Sequence, residues 1–263
     1  MKARRKILSS RSMILSSSAK RICMTEKSLT NRRKAMDLQA IRENIEHIRQ
    51  KMSPFPNARL MAVVKTRTPE EINFAISECG VTLIGENRVQ ELLSHYDALD
   101  RRADIHFIGT LQKNKVKYII DKVSMIESLD SLPLAAEINR HAEKHGIKMP
   151  VLIEINIGRE PSKSGIAPEA LSHVLPELLP FSNLVPSGLM TIAPLCKSAE
   201  EYSLYFSEMN RLRAVFSEYF PHIPHPLLSM GMSGSYLPAL ENGSDIVRIG
   251  EGIFGKREKP VNI

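Results

Sequence analysis

After Met36 the chain alternates regularly between two patterns, and this alternation limits the available folds more than any other feature. Short apolar runs ("RLMAVV", "VTLIG", "IHFIG", "VSMIES", "PVLIEINI", "NLVPSGLM", "PLLSMG", "DIVRIG") are separated by amphipathic stretches such as "PEEINFAISECG", "NRVQELLSHYDAL", "LPLAAEINRHAEKHG" and "AEEYSLYFSEMNRLRAVFSEYF". Strands that alternate with helices pair in parallel through right-handed crossovers. Eight such strands, preceded by an added N-terminal helix at "DLQAIRENIEHIRQKM", fit a single (β/α)8 barrel of the α/β class better than an open doubly wound sheet. No GxGxxG follows an early strand and no Walker loop occurs, which argues against a dinucleotide or P-loop site.

Charge separates the chain into two parts. The net charge is +7, but residues 1–35 carry 11 Lys and Arg against one acid, and the remainder holds 25 bases against 28 acids. The basic character therefore belongs to an N-terminal segment rich in Arg and Ser, and residues 36–263 form the expected barrel domain. Such a segment reads as a disordered extension, a misassigned start or an organellar transit peptide, and the extension is the favoured reading. A mildly acidic domain with 5% aromatics and no Trp is thin material for nucleic acid. No apolar run approaches the ~18 residues of a membrane span. Three scattered cysteines without a CxxC pair point to reduced thiols and a cytoplasmic setting rather than a disulfide or zinc framework.

In a barrel of this kind the functional groups gather where strands end, and phosphates often bind in the loops after strands seven and eight. Strand seven runs into "SMGMSGSY" and strand eight into "VRIGEGIFG", two glycine-punctuated turns with backbone N–H groups able to meet an anion. Ser233 and Ser235 are candidate caps for the short helix that follows. Strand one runs directly into Lys65, just before a Thr-Pro-Glu-Glu helix start. A lysine there can simply reach out to solvent. At a barrel mouth it would instead be desolvated, which lowers its pKa and frees the amine for an imine. The remaining strand ends carry Gly85-Glu86-Asn87, His106 with Gly109, Asn156, Met190 and Arg248. Arranged around one mouth, they suit a phosphorylated carbonyl compound.

The motifs "AVVKT", "GENRVQE", "IHFIGTLQKNK", "INIGREPSKSG", "GLMTI", "LSMGMSGS" and "VRIGEGIFG" resemble, in order, those of the pyridoxal phosphate homeostasis proteins. The resemblance covers Asp37 to Arg257 and implies a TIM barrel of the alanine racemase N-terminal type. It implies pyridoxal 5′-phosphate as cofactor, held as a Schiff base on Lys65. It also implies that Ser233, Gly250 and neighbouring backbone hold the phosphate, that Arg248 faces the pyridine nitrogen, that Asn87 and His106 lie around the ring, and that Met190 lines the wall. Two positions depart from the family pattern. Ser235 stands where relatives carry an acid, and Glu251 stands where many carry a small hydroxyl residue; Glu251 is expected to turn away from a phosphate.

Binding a cofactor does not decide its use. An arginine on the pyridine nitrogen opposes protonation and weakens the ring as an electron sink. Racemases with this barrel add a second, β-rich domain that supplies a tyrosine base, and the chain ends about a dozen residues after Gly252. The expected role is therefore intracellular buffering or delivery of pyridoxal phosphate by a monomer without strong catalysis, with apoenzymes that use the cofactor as candidate partners. An amino-acid racemase is the first alternative and a cofactor-independent Schiff-base aldolase the second. His141 and His145, one helical turn apart, read as a solvated helix face rather than a metal pair.

Overall fold

The computed structural model describes residues 37–256. The expectation for residues 1–35 lies outside the described residues. A helix, α1, runs through residues 37–52 and precedes eight parallel strands: β1 (Arg59–Val63), β2 (Leu83–Glu86), β3 (Asp104–Phe107), β4 (Met125–Leu129), β5 (Met149–Ile155), β6 (Leu184–Thr191), β7 (Leu227–Ser229) and β8 (Ile246–Ile249). They close in sequence order, with Ala62 level with Ile84 of β2 on one side and with Ile249 of β8 on the other. The alternating pattern thus closes into a (β/α)8 barrel.

Intervening helices are α2 (Pro69–Ser77), α3 (Val89–His95), α4 (Val116–Ile119), α5 (Leu132–Lys144), α6 (Leu171–Leu178), α7 (Ala199–Tyr219), α8 (Tyr236–Glu241) and α9 (Glu251–Phe254). The Thr-Pro-Glu-Glu start of α2 forms a reciprocal cap. Thr68 Oγ1 accepts from the Glu71 N–H at 3.3 Å, and the Glu71 carboxylate accepts from the Thr68 N–H at 2.8 Å. In α5, His141 is buried and bonds Glu137 at 3.1 Å, so it is a packed residue rather than part of a solvated face.

Because the strands are buried on both sides, successive residues serve two cores. Ala62 and Val64 join the large core between barrel and helices, whereas Met61 and Val63 join Leu83 and Ile246 inside the barrel. A second interior cluster holds Met125, Leu152 and Met190. The same alternation carries polar residues inward at the upper ends of the strands, and these build the site.

Candidate functional site

Lys65 continues the inward series of Met61 and Val63 beyond the end of β1 and is half-buried. The backbone then turns sharply at Thr66, a β-branched residue at φ 63°. That conformation normally costs a non-glycine residue ~1–2 kcal/mol. It is held by neighbours: the Thr66 N–H donates to Glu91 of α3 at 2.9 Å, and the Arg67 N–H donates to the Val64 carbonyl at 3.0 Å. The Arg67 guanidinium donates to the Gly255 carbonyl at 2.7 Å and lies over the Phe254 ring. The turn carrying Lys65 is therefore fastened to α3 and to the end of α9.

Lys65 lines a cavity of about 350 Å³ at the C-terminal mouth of the barrel. Also on its wall are Asn87, Ser233, Arg248 and Gly250, so five of the seven residues expected from the sequence meet there. Tyr202 of α7 and the exposed apolar side chains of Ile192, Leu195 and Met232 complete the rim. Gly250 allows a close approach of β8 to β1, since a Cβ there would stand 3.3 Å from the Val63 Cβ and carbonyl oxygen. Gly109 does the same for β3, where a Cβ would fall 2.1 Å from the Asn87 carbonyl oxygen. Asn87 is thereby seated against a neighbour that tolerates no side chain. Its Oδ1 is buried and has no hydrogen-bond partner among the described residues.

The two glycine-punctuated turns differ in detail from the sequence expectation. Ser233 caps α9 rather than α8, its hydroxyl accepting from the Gly252 N–H at 3.0 Å. Ser235 occupies the N-cap position of α8 but makes no cap bond there; its hydroxyl accepts from the Met232 N–H at 3.1 Å, inside its own turn. Glu251 is exposed at the rim.

His106 and Met190 do not line the cavity. Met190 is fully buried in the interior cluster below it, and His106 is tied into a polar chain that ends at the cavity. His106 Nδ1 bonds Glu127 at 2.6 Å, the other Glu127 oxygen accepts from the Ser229 hydroxyl at 2.6 Å, and the Ser229 oxygen accepts from Arg248 Nη1 at 2.8 Å. Arg248 Nη2 donates to the Thr191 carbonyl at 2.7 Å. A guanidinium 4% exposed is thus held by both terminal nitrogens. Burial pushes its pKa below the ordinary value, and the carboxylates of Glu127 and Glu154 act in the opposite sense.

Sequence reasoning does not single out Glu127, Ser229 and Glu154, although one signal is there: each is a polar residue in a mostly apolar strand. Glu154 of β5 is 6% exposed, and burial, reinforced by the charge of Asp130, raises its pKa to about 7. Glu86 faces the other way, toward the helices. It bonds His95 of α3 at 2.6 Å, and burial raises its pKa against the effect of that partner.

The sequence profile of the alanine racemase N-terminal domain family matches residues 36–258. A pyridoxal phosphate homeostasis protein of Aquifex aeolicus is 45% identical over 203 residues, covering 76% of this chain and 88% of the relative. Among solved structures, PipY of Synechococcus elongatus PCC7942, determined with PLP bound, superposes with a TM-score of 0.73 at 29% identity over 82% of this chain and 100% of PipY. Alanine racemase from Corynebacterium glutamicum shares the fold, with a TM-score of 0.67 at 18% identity, over 86% of this chain and 63% of the racemase.

Proposed function

The chain belongs to the alanine racemase N-terminal domain family and, within it, to the pyridoxal phosphate homeostasis proteins; from that premise we propose that it binds pyridoxal 5′-phosphate at the cavity bearing Lys65 and takes part in intracellular homeostasis of the cofactor. The observation that carries this reading is the position of Lys65. A lysine just beyond the end of β1 lines a cavity whose wall also includes the Ser233 turn and Gly250. The residues present suit the group: an amine for its aldehyde, glycine-bordered backbone for its phosphate, a buried guanidinium beside its ring, and the unpartnered Asn87 Oδ1 as a waiting acceptor.

In this reading Lys65 Nζ would hold the cofactor as a Schiff base. When bound, the group supplies a reactive aldehyde and an aromatic ring able to accept electrons. The protein's own residues restrain that chemistry. Arg248 is pinned by Ser229 and Thr191, so a cation and not a carboxylate stands in the barrel where the ring would face. Beside a pyridine nitrogen, the Arg248 guanidinium would oppose its protonation and so weaken the ring's pull on electrons. Lys65 stays with its fastened turn, while the half-open rim of Ile192, Leu195 and Met232 leaves a route in and out. This suits storage and delivery better than turnover.

Incubation of the full chain with pyridoxal phosphate, borohydride reduction and peptide mapping tests the assignment. The expected result is a single reduced adduct on the Lys65 peptide. Labelling spread over exposed lysines would overturn it. Tyr202, the one tyrosine on the cavity wall among the described residues, is what an amino-acid racemase could use as a second base. Interconversion of alanine enantiomers that is lost in Lys65→Ala would favour that reading instead.

A further inference from the structure

A smaller recess of about 180 Å³ opens on the β3, β5 and β6 side of the mouth, and Ile192 belongs to its wall as well as to that of the larger cavity. Glu154 lines it. Three carboxylates are buried in the barrel wall among the described residues, and two of them have a side-chain partner: one Glu86 oxygen bonds His95, and both Glu127 oxygens are bonded, by His106 and Ser229. Glu154 is different. At 6% exposure its carboxyl makes no hydrogen bond or ion pair with any described residue, and Arg248 acts on it only through the field of its charge. A buried carboxyl is costly without a donor, so one that borders a cavity calls for a ligand that brings the donor.

The rest of the recess has the opposite character. Lys163, Ser162 and Ser164 come from the loop after β5, and Thr110 comes from the loop after β3. Asn156 holds the β5 loop in place: its side-chain amide donates to the Glu160 carbonyl at 2.8 Å and accepts from the Glu160 N–H at 3.1 Å. The two loops meet where the Thr110 and Ser164 hydroxyls stand 3.3 Å apart. Residues bearing one ammonium and three hydroxyls thus line the same small space as a carboxyl that makes no hydrogen bond among the described residues.

We propose that this recess binds a small zwitterion of the amino-acid class, with the ligand's ammonium on Glu154 and its carboxylate on Lys163 and the neighbouring hydroxyls. The inference does not depend on a cofactor at Lys65, because none of these groups is needed to hold one. A probe that cannot condense with an aldehyde keeps the two readings apart. N,N-dimethylglycine is a zwitterion with a tertiary ammonium and forms no imine, and isovalerate is its carbon analogue without the positive charge.

Binding of both to the full chain by calorimetry, with ligand-observed NMR as a second readout, decides the matter. The expected result is saturable binding of dimethylglycine, with isovalerate about tenfold weaker or worse. Glu154→Gln, which keeps the volume and removes the charge, should weaken dimethylglycine by a similar factor, and Lys163→Ala should weaken it several-fold. Thermal melts of Glu154→Gln establish that it is folded, and the exposed Lys163 gives a variant that does not disturb the core. No binding of dimethylglycine, equal binding of isovalerate, or unchanged binding in both variants would each overturn the proposal.

Discussion

Arg248 and Glu154 sit inside the same barrel, equally hidden from water, and the protein treats them in opposite ways. Arg248 donates to Ser229 and Thr191 and is backed by Glu127 and His106. Glu154 has the charge of Arg248 in its surroundings but no hydrogen bond among the described residues. A guanidinium cannot shed its proton, so its burial demands partners, whereas a carboxyl can take one up and wait. The contrast separates a fixed half of the mouth, on β1, β7 and β8, from an open half on β5. The fixed half presents Lys65, Arg248 and the glycine turns in one geometry. The open half has a group whose state depends on pH and on what binds.

Removing the fixed charge should do the most damage. Arg248→Leu leaves Glu127 and Ser229 buried with a missing partner, and it should lower stability to chemical denaturation by about 3–5 kcal/mol. A loss below about 1 kcal/mol would mean that the polar chain adds little, and the contrast would collapse.

The open half should instead gain from neutralisation, and the gain should depend on pH. The Glu154 pKa is raised from 4.5 to about 7 in the fold. Below the unfolded value both states hold the proton and there is no penalty. As pH climbs through the folded value, the native state must ionise a buried group and stability is lost. Glu154→Gln should therefore match the wild type near pH 4.5 and exceed it by about 3 kcal/mol near pH 8. Denaturant melts across that range check it, and a difference that does not change with pH would contradict it.

The smallest effect concerns the turn that carries Lys65. Thr66→Gly relieves a β-branched residue at φ 63° while keeping the N–H that donates to Glu91. Stability should rise by about 0.5–1 kcal/mol, since glycine gives back part of the relief as chain entropy. A loss of stability would show that the Thr66 side chain holds the turn in some other way.

The barrel was legible because eight apolar runs alternating with amphipathic stretches have few other solutions, and each run became a strand. Lys65, Asn87, Ser233, Arg248 and Gly250 were legible as strand-end residues, and the barrel brings them to one cavity. What could not be read was which side of each strand faces inward. In strands apolar on both faces, parity alone does not tell His106 from Phe107 or Glu154 from Ile153. The inward series becomes clear only when Met61, Val63 and Lys65 are seen to point one way. His106 consequently lies a layer below its expected place, as does Met190. The hydroxyls of Ser233 and Ser235 illustrate a second limit. Both sit in one short turn, yet one bonds α9 and the other its own backbone, and only the path of the chain decides which.

The central claim is that Lys65, fixed at the end of β1, holds pyridoxal phosphate. The most direct test is the near-ultraviolet and visible absorbance spectrum of the purified full chain after incubation with the cofactor and removal of excess, with Lys65→Ala beside it. The account predicts an imine band in the wild type, lost on borohydride reduction and absent from the variant. A wild type that stays colourless, or a variant that keeps the band, would contradict it.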